Sequence, residues 1–191
     1  MGQGGERAAR RLPPGSHGIP PEVVARNQRE RLIAAMAEVC AEKGYAGASV
    51  AEVAKRAGVS SVTFYKQFAD KRDCMLAAHR QLLGRLLEEV DRVQEGSATE
   101  TKARAAIRAV LAIFAADPPS ARLLTIEVLA AGPEGSERHD AAVEALAERL
   151  QTDWVPTAGM LALVGKRVMA GDAARLPELE DELAAMLAPG A

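Results

Sequence analysis

Aromatic side chains are nearly missing from this chain: Phe, Tyr and Trp together make up 3% of its 191 residues. Strand sandwiches and barrels draw on aromatic and β-branched residues, so this scarcity argues against them. The alanine-rich remainder argues instead for helices throughout. Cysteine is scarce too. Cys40 and Cys74 are too few for a disulfide framework, and both fall within apolar stripes. That suits buried, reduced thiols of a cytosolic protein, with a redox pair as the other reading.

No apolar run approaches the ~20 residues that a membrane helix needs, so no membrane partner is expected. The opening MGQGGERAARRLPPGSHG lacks the apolar core of a secretory signal. Glu6 stands where myristoylation calls for Ser or Thr. The expected compartment is the cytoplasm. Glycine-rich phosphate loops, G-x-S-x-G, H-E-x-x-H and C-x-x-C are also missing. His17, His79 and His139 stand far apart, without metal-ligand spacing. No catalytic residue, metal site or cofactor is therefore expected, and the chain does not read as an enzyme.

What is present is an uneven distribution of charge. The formal net charge is −2. Residues 1–80 hold 13 Lys+Arg against 8 Asp+Glu, a net of +5, and residues 81–191 hold 11 against 18, a net of −7. A basic first part joined to an acidic second part points to a polyanion-binding module attached to something else.

Residues 1–20 read as a flexible basic arm carrying Arg7, Arg10 and Arg11. Pro20-Pro21 suit the first turn of a helix. Leu32, Ile33, Met36, Val39 and Cys40 then form one helical stripe that ends at Gly44. Ser49-Val50-Ala51-Glu52 is a capping box opening a short helix, about Val50–Ala57. Gly58 permits a tight turn, Ser60 caps a third short helix, and Asp70, with Asp73 three residues on, caps a long fourth helix to about Glu95-Gly96. Further helices are expected over about Thr101–Ala116, Ser120–Ala131, Ser136–Asp153, Thr157–Gly171 and Pro177–Leu187, with prolines and glycines between them.

A short capped helix, a glycine turn and a second short capped helix make a helix-turn-helix plan, whose second helix enters the major groove. Helical geometry sorts AGVSSVTFYKQFADK, residues 57–71, into two faces. Phe64 and Phe68, four apart, suit the core. Ser61, Val62, Tyr65 and Lys66 share the other side, with Thr63 and Gln67 flanking.

The run GYAGASVAEVAKRAGVSSVTFYKQFADKRDCML resembles the DNA-binding signature of the TetR family of transcription regulators. The matching elements are Gly44-Tyr45, Ser49-Val50, Val53-Ala54, Ala57-Gly58-Val59-Ser60, Thr63-Phe64-Tyr65, Phe68 and Lys71. The close likeness covers about Arg29–Leu76. Ser61-Val62 departs from the family's common basic residue followed by glycine. The resemblance implies an all-α chain of about nine helices: a three-helix DNA-binding domain over 21–70, then a helical ligand-binding and dimerisation domain over 71–191. Tyr65 and Lys71 are expected on DNA phosphates, and Ser49 is expected to share its hydroxyl between capping and a phosphate. Thr63 and Lys66 point toward DNA, while Ser61 hydrogen-bonds base edges and a Val62 methyl meets a thymine methyl. Arg29, with Arg26 and the arm arginines, is placed at phosphates or the minor groove.

The resemblance further implies a homodimer on a near-palindromic double-stranded operator, released by a small-molecule effector. The other reading is a helical DNA-binding or interaction protein without such a ligand. Candidate pocket residues are His79, Leu83, Leu86, Phe114, Leu124, Glu127 and Trp154. His79 also reads as a half-buried structural histidine, and Glu127 as a carboxylate that reaches solvent or a cation. Dimerisation is expected through Leu161, Leu163, Val164, Val168, Met169, Leu179 and Leu183, with Gly165 allowing close helix approach. The penultimate helix, cut by Gly171 and Pro177, is short for the family.

Overall fold

A computed structural model describes residues 20–95 and 99–187, without the side chains of 99–101. The basic arm, with Arg7, Arg10, Arg11 and His17, lies outside the described residues, as does Gly96. Among the described residues there are nine α-helices and no strand. They are α1 Pro21–Gly47, α2 Val50–Ala57, α3 Ser61–Gln67, α4 Lys71–Glu95, α5 Thr99–Ala116, α6 Pro118–Thr125, α7 Pro133–Leu150, α8 Trp154–Met169 and α9 Glu180–Met186. Two 3-10 helices, Glu127–Ala131 and Ala173–Leu179, precede α7 and α9. The all-α expectation is met.

The chain divides into two compact units at Ala78/His79, rather than at the expected 70/71. Cys74, Met75, Leu76, Ala77 and Ala78 are buried, so the first two turns of α4 complete the first unit. The rest of that unit's buried set comes from Leu32, Ile33, Ala35, Met36, Ala37, Val39 and Cys40 of α1, Ala48 just ahead of α2, Val53, Ala54 and Ala57 of α2, and Phe64 and Phe68. Both cysteines are free and buried, and burial pushes the Cys74 thiol far above its ordinary range.

Local chemistry sets the boundaries. Ser49 Oγ accepts the Glu52 N–H at 3.3 Å and donates to Glu52 Oε2 at 2.8 Å. Ser60 Oγ accepts the Thr63 N–H at 3.1 Å. Asp70 Oδ1 accepts the Asp73 N–H at 2.8 Å while Asp73 Oδ2 accepts the Ala69 N–H at 2.9 Å, a reciprocal cap at the head of α4. Gly58 sits at φ 65, ψ 37, which an L side chain adopts at a cost.

In the second unit, one apolar cluster draws Leu86 and Val90 from α4, Ile107, Val110, Leu111 and Phe114 from α5, and Val143 and Leu146 from α7. Met160, Leu161, Val164 and Val168 of α8 and Leu176, Leu179, Leu183 and Leu187 near the end join it. Three expected boundaries are corrected. The helix expected over Ser120–Ala131 breaks at Ile126 (φ −132, ψ −56). There Thr125 Oγ1 turns back to the Ala121 carbonyl at 2.8 Å, in competition with the helix ladder. The next helix starts at Pro133 rather than Ser136, because proline fits the first turn. The last helix splits at Leu179–Glu180, its first half in 3-10 form around Pro177.

Candidate functional site

The candidate reading surface is the exposed face of α3. Phe64 and Phe68 are buried at 0% and 2% exposure, their ring centroids 5.6 Å apart. On the opposite face Ser61, Val62, Tyr65 and Lys66 are exposed, with Thr63 and Gln67 half-buried. Val62 and Tyr65 keep 66% and 59% of their surface in solvent, a high figure for apolar and aromatic side chains. Tyr65 also meets Phe64 edge to face at 5.5 Å between centroids, which ties the exposed ring to the buried one. Ser49 is exposed at the head of α2.

Two residues expected as free DNA contacts are engaged inside the unit. Arg29 Nη1 donates to the Gln67 carbonyl at 2.8 Å, and its guanidinium lies 4.2 Å over the Phe68 ring. The last carbonyls of a helix lack partners within it, so Arg29 of α1 closes the C-terminal end of α3. Lys71 Nζ donates to the carbonyls of Tyr45 at 2.8 Å and Ala48 at 2.9 Å, and lies 4.3 Å from the Tyr45 ring centroid. Both carbonyls stand where the chain leaves α1 for α2. Lys71 is half-buried, with two of its three donors used. The i-to-j spacing of these pairs is long, and no sequence signal marks the carbonyls involved. Arg31 is a further holder that sequence reasoning missed: its guanidinium donates to the Ala57 carbonyl beside Gly58.

Across α1 and α2, Arg56 pairs with Glu38 at 3.0 Å and Glu42 at 2.7 Å, and Lys43 pairs with Glu52. Hydrogen bonds from Arg56 and from Lys43 hold the Glu42 and Glu52 carboxyls below their ordinary range. All these groups are exposed by a third or more, so each pair contributes little.

The expected pocket residues do not form one set. Leu86, Phe114 and Leu124 are brought together in the apolar cluster of the second unit, and Leu83 packs against it half-buried. Trp154 stands at the head of α8 with 43% of its surface exposed, and is corrected to a surface residue. Glu127 is 5% exposed and meets Arg122 Nε at 2.7 Å, the cationic partner that was one of its two readings. His79 is 1% exposed, deeper than the half-buried reading of it. Sequence spacing dismissed His139, yet it lies on the stripe Gly135, Ala142, Val143 and Leu146 that α7 buries. That stripe was the available signal.

The dimer expectation is corrected in part. Leu161, Val164, Val168, Leu179 and Leu183 belong to the second unit's own cluster, whereas Met169 is 54% exposed. Gly165 does serve a close approach, but within the unit: a Cβ there would stand 3.1 Å from Ile126 Cδ1 and Thr125 Oγ1. Among the described residues no cluster of metal-ligating side chains is found and no helix is long and apolar enough to cross a membrane.

Residues 32–78 match the family described as bacterial regulatory proteins, tetR family. The chain is 28% identical over 99 residues to the fatty acid metabolism regulator protein of Bacillus subtilis, a match covering 51% of each chain. The chain spans about half or less of the length of the curated relatives it matches, from 38% to 51%. Among solved structures, it resembles the fatty acid degradation regulator FadR of Bacillus halodurans with a TM-score of 0.72 at 23% identity, covering 85% of this chain and 96% of the other. FadR of Bacillus subtilis in complex with stearoyl-CoA gives 0.69 at 22% identity, covering 84% and 98%. The helix-turn-helix lies inside the segment that matches this family, and the all-α fold around it is the fold of these solved regulators.

Proposed function

We propose that this chain is a sequence-specific transcriptional regulator of double-stranded DNA, a repressor released from its operator by a small molecule. The observation that carries this reading is the division of α3: Phe64 and Phe68 buried, with Ser61, Val62, Tyr65 and Lys66 presented to solvent on one face. In the major groove, Tyr65 and Lys66 meet phosphates, while Ser61 and Val62 face base edges. Thr63 and Ser49 flank them. Arg29 and Lys71 act chiefly by holding α3 and the head of α4, and the remaining donor of Lys71 is available to a phosphate.

Two copies are needed to read a near-palindromic site, with recognition helices about 34–36 Å apart or a multiple of that. The face of α8 that its own unit leaves open, Val155, Gly159, Ala162, Lys166 and Met169, suits that pairing. Its small residues permit close helix approach, and Met169→Glu should shift the dimer toward monomer in analytical ultracentrifugation. The effector is assigned to the second unit, and α4 is the covalent link that carries its influence. A ligand releases DNA only if it favours the state that binds DNA less well. The likeness to a fatty acid metabolism regulator and to a FadR in complex with stearoyl-CoA supports an apolar effector of that class.

The test is fluorescence anisotropy with the DNA upstream of the chain's own gene. Specific binding should weaken steeply with salt and fall in Tyr65→Phe and Lys66→Ala. A flat salt profile, or full-strength specific binding by the double variant, would overturn the assignment of contacts.

A further inference from the structure

His79 on α4 and His139 on α7 share an unusual property. Nε2 of the first and Nδ1 of the second are buried, and neither has a hydrogen-bond partner within the chain. His79 is only 1% exposed. A buried imidazole nitrogen left unpaired costs about 1–3 kcal/mol, and leucine at these positions would extend the apolar stripes without that cost. The groups whose charges act on His79 are His139 and Arg138, adjacent on α7, and both oppose a positive charge there. Arg138 itself has only a loose pair with Glu134 at 3.8 Å, and both side chains are two-fifths or more exposed. One turn further along α4, Leu82 and Leu83 are half-buried against the apolar cluster.

We propose that His79, His139 and Arg138 form an anion-binding subsite in the second unit, which takes the carboxylate or phosphate of a small amphiphilic effector whose apolar body lies along Leu82 and Leu83. The inference rests on the regulator reading only in naming the ligand an effector. An anion supplies acceptors for the two imidazoles and a closer counter-charge for a guanidinium held only loosely by Glu134. A neutral hydroxyl satisfies the nitrogens but leaves the positive field uncompensated. A cation is repelled by Arg138.

The probes are decanoate, decyl phosphate and the neutral decanol, titrated calorimetrically into the full chain at pH 7. At least one anion should bind about tenfold or more tighter than decanol, since a site built on polar partners rejects an analogue that leaves them unmatched. The tighter of the two anions identifies the head group. His79→Leu removes the orphan nitrogen and should be at least as stable as the parent while losing the preference for anions. His139→Gln should lose it independently. Equal binding of decanol and both anions, absence of binding by all three, or an anion preference that survives His79→Leu would overturn the proposal. Anisotropy with unliganded protein tests the regulator reading separately: lost DNA binding with intact anion preference sinks that reading alone.

Discussion

Lys71 Nζ at the head of α4 donates to the carbonyls of Tyr45 and Ala48, at 2.8 and 2.9 Å, across the segment that leads from α1 into α2. One side chain thereby ties the head of α4 to the end of α1 and the link into α2. Hydrogen bonds from a charged donor contribute about 1.5–3 kcal/mol. Lys71→Met should lower the stability of this unit by about that amount, read from chemical denaturation. Lys66→Ala, on the exposed face, should leave the denaturation midpoint unchanged while weakening DNA binding. If Lys71→Met costs no stability, the internal role assigned to Lys71 is wrong.

Gly58 closes α2 with φ 65, and a Cβ there would stand 2.7 Å from Arg31 Nη2. Gly58→Ala therefore meets two penalties: the left-handed backbone, at about 1 kcal/mol, and displacement of the guanidinium that serves the Ala57 carbonyl. A loss of about 1–2 kcal/mol in urea denaturation is expected. Gly84 offers the contrast. It lies inside α4 with open space around it, so Gly84→Ala should gain about 0.5–1 kcal/mol from helix propensity.

Gly135 is required for another reason. A Cβ on it would press into the Val128 carbonyl oxygen and approach Ala131 Cβ at 3.1 Å, both in the preceding 3-10 helix. Backbone cannot yield as a flexible side chain does. Gly135→Ala should destabilise by 2 kcal/mol or more, as severe overpacking does, and shift the thermal midpoint of the second unit downward.

The His79 imidazole is held down to about 4 by burial first, then by nearby His139 and Arg138. Its unfolded value is near 6.5. Between these values the unfolded chain binds the proton and the folded chain does not, so stability is fully present above about 6.5 and is lost as pH falls toward 4. At about 1.4 kcal/mol for each unit, the loss is of order 3 kcal/mol. Denaturation midpoints from pH 7 to 4 should show this slope, and His79→Leu should flatten it. An unchanged slope in the variant would assign the acid sensitivity to other groups.

Much of this protein follows from local chemistry and was legible as such. Ser49, Ser60 and Asp70 cap the helices they precede, and Gly58 turns where a left-handed residue is needed, because caps and turns depend on neighbours within four positions. The split of Phe64 and Phe68 from Tyr65 and Lys66 follows from the helical period alone. Local chemistry misled where two tendencies competed, as at Thr125-Ile126, where apolar periodicity ran on through a break.

By itself, then, the sequence determined an all-α chain, a capped helix-turn-helix and the outward face of α3. Only the tertiary structure decided what the charged and apolar residues far apart in sequence would do. Arg29 and Lys71, read as DNA contacts, were claimed by carbonyls 38 and 26 positions away. Leu161, Val164 and Leu183, read as dimer contacts, were claimed by the core of their own unit. Two histidines sixty residues apart each came to bury a ring nitrogen that has no hydrogen-bond partner. Periodicity says which residues share a face, but not what that face meets, because the partner is set by how helices pack.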